Sequence, residues 1–224
     1  MATVKDVISL MEEIAPRELS SLYCEKYKTY DNSGLLLGDE DRQIFSVLVC
    51  LDLTGEVAAE AEDINADMVI THHPFIFNGL KSITKSDPLG RIIYKLIKND
   101  IAVYSAHLNF DIAPYGINQI LADKLELINC KVIQPVGEEA GLGRIGATQN
   151  PYTLKEYYDL VTAILNDKNI KACGELDKVI NNVAIVCGGG GGEMELLQAA
   201  YGMGADLFIT AEVKHHIALR AKEL

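Results

Sequence analysis

The sequence contains no C-x-x-C pair, no cluster of lysine and arginine, and no apolar run near the roughly 20 residues that a bilayer-spanning helix needs. Each absence removes a class of protein. The five cysteines, at 24, 50, 130, 173 and 187, are odd in number and widely spaced, so neither a disulfide framework nor a thiolate zinc site is indicated. Cys50 and Cys187 lie in apolar, strand-like runs and read as buried, inert thiols. The N-terminal stretch MATVKDVISLMEEIAP is amphipathic and carries acids, unlike a signal peptide, which points to a cytoplasmic or similarly reducing compartment. Basic side chains are outnumbered, 20 against 32 acidic, for a formal net charge of −12. An acidic body repels phosphate backbones and anionic lipid surfaces, so neither a nucleic-acid duplex nor a membrane is expected as a partner. A small anionic ligand stays compatible, because a bound cation reverses the local field.

What the chain does have is ordinary globular material: 224 residues, 49% hydrophobic and 23% charged, enough for one large domain or two small ones. Val4, Val7, Ile8, Met11 and Ile14 fall on one helical face, with Pro16 just beyond. IFSVLVCLD (44–52) is a nearly continuous apolar run, suited to a strand covered on both faces. Thr54 caps a helix that runs to about Asn65, and DMVIT (67–71) reads as a second strand. Asp87-Pro88 opens another helix, IAVYS (101–105) is a third strand, and 116–127 is helical. This alternation predicts an α/β fold with a mostly parallel sheet. Residues 129–149 hold two short strands joined through Gly137–Gly143 as a hairpin or a crossover, and a second helix-and-strand series starts at Thr153.

An internal repeat organises the chain. SVLVCLDLTGEVAAEAEDINADMVITHH (46–73) resembles NVAIVCGGGGGEMELLQAAYGMGADLFITAEVKHH (182–216). Val49-Cys50 matches Val186-Cys187, and Ala66-Asp67 through Thr71 matches Ala205-Asp206 through Thr210. The prediction is of two similar α/β lobes, 1–128 and 129–224, facing each other across a cleft, with a polar cluster where a strand of each ends. Ligands in open α/β sheets bind beyond the carboxyl ends of the strands.

The chemistry gathers at those ends. THHPFIF (71–77) sets His72 and His73 directly after a strand. Adjacent side chains on extended backbone point to opposite faces, so the two histidines would serve different ions more naturally than the same one. An HH pair alone is weak evidence, and a structural role is the commoner reading. YSAHLNFD (104–111) follows the next strand and carries His107 and Asp111, four residues apart, close enough to meet across a turn. Imidazoles from two strand ends plus a carboxylate are what a borderline divalent ion requires. CGGGGGE (187–193) reads either as a phosphate-cradling turn or as close packing that only glycine permits. Glu212, just after the last strand of the repeat, is a candidate acid–base group. His215 and His216 fall in a helical pattern, with Lys214 and one of the two histidines solvated.

Taken together, YDNSGLLLGD (30–39), THHPFIF (71–77), YSAHLNFD (104–111) and VAIVCGGGGGE…GADLFITAEVKHH (183–216) resemble the NIF-three-like dinuclear metal-centre proteins, many of them known as homologues of GTP cyclohydrolase I type 2. Tyr30 stands where tryptophan is usual and Ala211 where glycine is usual. The resemblance implies two α/β lobes with a two-metal site between them, with His72, His73 and Asp111 as ligands and His107 beside them. It also implies a homo-oligomer, a six-membered ring. The long inserted domain of the family has no room within 137–153. The family continues into a G-H-Y-x-x-E-like segment that completes the site, whereas this chain ends at Leu224. The expectation is therefore of weak metal binding and of residues near 212–224 that are poorly ordered or held by a neighbour.

Two functions stand at this point. One is a metal-dependent hydrolase acting on a nucleotide-like or phosphoester substrate, with His107 and Glu212 as its acid–base groups. The other is a non-catalytic metal-binding or regulatory oligomer that engages protein partners. Donors of nitrogen and oxygen alone leave zinc, manganese, iron and nickel open as the divalent ion.

Overall fold

Capping residues decide where three helices of the first half begin. A computed structural model describes residues 1–224. Its first unit, Met1–Phe110, opens with α1 (Val4–Ile14) and α2 (Arg17–Tyr27), then β1 (Gly34–Leu37) and β2 (Val47–Cys50). There follow α3 (Gly55–Asp63), β3 (Met68–Thr71), α4 (Pro88–Lys98) and β4 (Ala102–Ser105), and α5 (Leu108–Ile112) leads out of the unit. Thr3 and Asp6 form a reciprocal capping box at α1. The Thr54 hydroxyl accepts from the Val57 amide at 3.2 Å, and the Asp87 carboxylate accepts from Gly90 at 2.8 Å with Pro88 opening α4. These are the helices predicted from residue 4, Thr54 and Asp87.

The strands lie in the order β1-β4-β3-β2, with β2·β3 and β3·β4 parallel and β1 antiparallel to β4. Alternation along the two central strands sorts their side chains between two cores. Met68, Ala102 and Tyr104 pack with Val4 and Ile44 on the α1 side. Val69 and Val103 pack with Ala58, Ala61 and Leu96 on the α3 and α4 side. The prediction that 44–52 is covered on both faces fails. β2 is an edge strand that turns Leu48 and Cys50 inward. Its other face shows Phe45 (79% exposed), Val47, Val49 (71% exposed) and Leu51 to the outside. An apolar, β-branched run looks the same in sequence whether its second face is covered by the chain or left open.

The second unit, Asp111–Leu224, contains α6 (Ile117–Lys124), β5 (Ile128–Pro135), β6 (Gly141–Thr153), α7 (Leu154–Leu165) and β7 (Val179–Val186). A 3-10 turn over Gly188–Gly192 leads to α8 (Met194–Gly202), β8 (Leu207–Thr210) and α9 (His215–Glu223). Its sheet runs β5-β6-β7-β8. Only β7·β8 is parallel; β5·β6 and β6·β7 are antiparallel. The mostly parallel arrangement predicted for both lobes therefore describes the first sheet. In the second, a tight turn, with the Val136 amide bonded to the Ala140 carbonyl at 2.9 Å, forces β5 and β6 antiparallel.

The units divide at residue 110 rather than at 128, because α6 is fastened to the second sheet. Buried Arg144 of β6 donates to the carbonyls of Gly141 (2.8 Å) and Ala113 (3.2 Å) and to Oε1 of Gln119 (2.9 Å) on α6. Such a cation, satisfied by carbonyls rather than by a carboxylate, is structural; burial lowers its pKa. α9 is a formed helix with Ile217 buried. No helix is long and apolar enough to cross a membrane.

The repeat is visible in detail. Asp67 accepts from the amides of Phe45 (2.8 Å) and Ser46 (3.0 Å), and Asp206 accepts from those of Asn181 and Asn182, both at 2.9 Å. Asn65 and Gly204, one residue before the matched Ala-Asp pair, both adopt positive φ. The register is one residue off the sequence match. Cys50 pairs with Thr71 and Val186 with Thr210, so the counterpart of Cys50 is Val186 rather than Cys187.

Candidate metal centre

β3 and β4 end side by side, with Thr71 opposite Ser105 and their hydroxyls 2.6 Å apart. The residues that follow are His72 and His73 on one strand end and His107 on the other. Their ring centroids lie 4.8 Å (His72–His73), 5.4 Å (His72–His107) and 5.8 Å (His73–His107) apart. One nitrogen from each falls within 4.8 Å of the other two, a group that can hold a metal ion. Metal–nitrogen bonds of about 2.0–2.1 Å need only small side-chain movements from there. The opposite-face argument for His72 and His73 does not apply, because regular strand geometry stops at Thr71 and both rings enter one cluster.

The Nδ1 atom of each histidine is already engaged. That of His72 lies 2.8 Å from the Ala106 carbonyl, that of His73 2.8 Å from Oδ1 of Asp52, and that of His107 2.6 Å from Oδ1 of Asp31. A carbonyl or an ionised carboxylate only accepts, so each Nδ1 carries a proton, and the neutral form of each ring has its electron pair on Nε2. Carboxylate or carbonyl behind imidazole is the usual support of a metal-ligating histidine. Burial pushes the His72 imidazole below its usual range against the hydrogen bond to Ala106, and the neighbouring His107 and His73 push the same way.

Asp31 is the most enclosed acid in this group, its side chain 2% exposed. It lies just before β1, whose antiparallel pairing with β4 brings Gly34 opposite Ser105 and the preceding loop beside His107. Burial alone raises its carboxyl; hydrogen bonds from His107, Ser20 and Ser33 and the charge of His107 outweigh that and bring it to about 2. Neither Asp31 nor Asp52 was singled out from sequence. The Tyr30-Asp31-Asn32-Ser33-Gly34 motif was the available signal for the first; Asp52 had none.

The remaining candidates belong to the second unit. Asp111 is buried on α5, four residues beyond His107 and at the start of the second unit. Its backbone carbonyl accepts from Nδ2 of Asn118 (2.9 Å), whose Oδ1 accepts from the Cys187 amide (2.9 Å). Burial, with the charge of Asp111 adding, pushes the Cys187 thiol up to about 12, which makes it inert. Glu212 is exposed in the loop after β8, and His215 and His216 are exposed at the start of α9. The glycine run resolves toward packing. A Cβ on Gly191 would stand 2.1 Å from the Glu212 carbonyl and 2.3 Å from Thr210 Cγ2, and one on Gly190 would stand 2.2 Å from Val186.

The profile of Duf34/NIF3 (NGG1p interacting factor 3) matches residues 2–224. A Clostridium perfringens protein called GTP cyclohydrolase 1 type 2 homolog is 37% identical over 223 residues, covering 99% of this chain and 81% of that one. The crystal structure of a Staphylococcus aureus hypothetical protein is 31% identical with a TM-score of 0.86, covering 99% of this chain and 82% of the other. A Bacillus cereus protein related to NIF3 is 26% identical with a TM-score of 0.79, over 92% of this chain and 84% of that one. The chain belongs to the Duf34/NIF3 family.

Proposed function

We propose that the protein binds divalent metal through His72, His73 and Asp111 and works as a metal-dependent hydrolase on a nucleotide-like or phosphoester substrate. The observation that carries this reading is the convergence of His72, His73 and His107, one nitrogen of each within 4.8 Å of the other two, with every Nδ1 backed by a carbonyl or a carboxylate. The four-residue step from His107 to Asp111 supports the carboxylate as a further donor. A divalent ion held there supplies Lewis-acid polarisation and an activated water. His107, backed by Asp31, acts as the proton acceptor, and Glu212 is the second acid–base candidate. The names of relatives such as the Clostridium perfringens protein make GTP a natural probe.

The chain is also proposed to form a homo-oligomer, a hexamer by the family resemblance, in the cytoplasm. The apolar stripe Phe45, Val47, Val49 and Leu51 on an edge strand is the surface that favours this. That stripe equally favours the second reading, a non-catalytic metal-binding scaffold that engages partners.

Metal analysis of the purified chain, with titration of the metal-free protein by zinc, manganese, iron and nickel, tests the centre. Wild type should bind at least one of them, and the double variant His72→Ala/His73→Ala should bind none. A wild-type chain that takes up no ion sinks the proposal. Turnover of GTP or a phosphoester panel by the loaded protein separates the hydrolase from the scaffold.

A further inference from the structure

We propose that Asp31 is a positioning residue that fixes His107 in the tautomer with its proton on Nδ1 and its electron pair on Nε2. The inference rests on the proposed metal centre for its purpose. The arrangement itself belongs to the metal-free chain.

The two oxygens of Asp31 have separate tasks. Oδ1 lies 2.6 Å from Nδ1 of His107. Oδ2 accepts from the Ser33 backbone amide (3.2 Å), the Ser33 hydroxyl (2.5 Å) and the Ser20 hydroxyl (2.6 Å). A hydroxyl can turn to donate or accept, but a backbone N–H only donates. The Ser33 hydroxyl also accepts from the His107 backbone amide at 3.3 Å, which biases its own hydrogen toward Asp31. The position of Oδ2 is therefore built for an oxygen and would repel an N–H group.

That asymmetry makes one substitution informative. In Asp31→Asn the amide oxygen must occupy the Oδ2 position, where the Ser33 N–H points. The amide nitrogen then faces Nδ1 of His107 and donates to it. Nδ1 becomes the acceptor, and the proton moves to Nε2, so the ring is held in place with its electron pair on the wrong side. In catalytic triads the same exchange keeps the geometry and removes function through the wrong tautomer. Asp52 gives the contrasting case. It holds His73 through Oδ1 at 2.8 Å but is more than half exposed, so an amide at 52 is able to rotate and present its oxygen.

The test is a long-range proton–nitrogen correlation spectrum of the histidine rings in metal-free, 15N-labelled protein at about pH 8, above the usual histidine range near 6.5. Wild-type His107 should show Nδ1 protonated and Nε2 unprotonated. In Asp31→Asn the two nitrogen signals should exchange places, while in Asp52→Asn the His73 pattern should stay as in wild type. Thermal melts check that the variants fold; if Asp31→Asn does not, the wild-type spectrum decides alone. A wild-type His107 with its proton on Nε2, or a folded Asp31→Asn with an unchanged pattern, overturns the proposal. Metal titration of wild type is a separate measurement, so a chain with the expected tautomer and no affinity for any ion would retire the metal centre and leave the role of Asp31 intact.

Discussion

A carboxylate that accepts two adjacent backbone amides does two things at once. It satisfies donors that strand pairing has left over, and it ties the start of one strand to the start of the next. Asp67 does this for Phe45 and Ser46, with Arg42 2.6 Å from its carbonyl and 3.1 Å from its side chain. Burial works to raise its carboxyl, but the bonds from Phe45 and Ser46 and the charge of Arg42 prevail and hold it below 3.8. Asp67→Ala should cost about 1–3 kcal/mol at neutral pH, the penalty of stranded donors. The sign with pH follows from the depressed value. The stabilisation is complete above the unfolded carboxyl's 3.8 and is lost as pH falls through the lower folded value. Urea midpoints of wild type and variant should therefore converge between neutral pH and about pH 3; a gap that widened on acidification would refute the account. At this scale the sequence pointed to the three histidines that the structure gathers and missed the groups that hold them. His72, His73 and His107 are marked by their own chemistry, whereas Asp31 matters through a partner 76 positions away and Asp52 through one 21 positions away.

Elements announced themselves in proportion to their boundary chemistry. α1, α3 and α4 each begin at a Thr or Asp whose side chain caps the first turn, and each was legible. α2 begins at Pro16 with no side-chain cap, and β1 is four residues of GLLL; neither was anticipated. Edge or centre is likewise a property of neighbours, which is why β2 was read as a covered strand. The glycine turn before α8 gives the sharpest test at this scale. Gly191→Ala should destabilise by about 1–3 kcal/mol, since the new methyl meets the Glu212 carbonyl and the Thr210 side chain well inside contact distance. Gly189→Ala meets nothing within 4 Å and should stay within about 0.5 kcal/mol of wild type. Equal costs in thermal melts would mean that the run is there for something other than packing.

For the whole molecule the first question is whether a second copy covers the open face of β2. Phe45→Asp with Val49→Asp places charge on that stripe, away from the buried Leu48 and Cys50. Light scattering should then show the assembly falling toward the 24.5 kDa of one chain, with circular dichroism unchanged. A wild-type protein already of that mass would remove the oligomer. The α/β class, the two-fold repeat and the family were all readable from the chain, because motif, alternation and capping are local. Strand direction in the second sheet was open between a hairpin and a crossover, which differ only in how the chain returns, and the division at residue 110 depends on Arg144 reaching across to α6. The one-residue slip within the repeat has a practical consequence. Positions around the second strand transfer between halves by adding 139, as Thr71 to Thr210, but those of the first strand transfer by adding 136, as Cys50 to Val186. Because side chains alternate along a strand, a mutational map of one half copied to the other with the 137 suggested by matching letters would assign every residue of that first strand to the wrong face of its sheet.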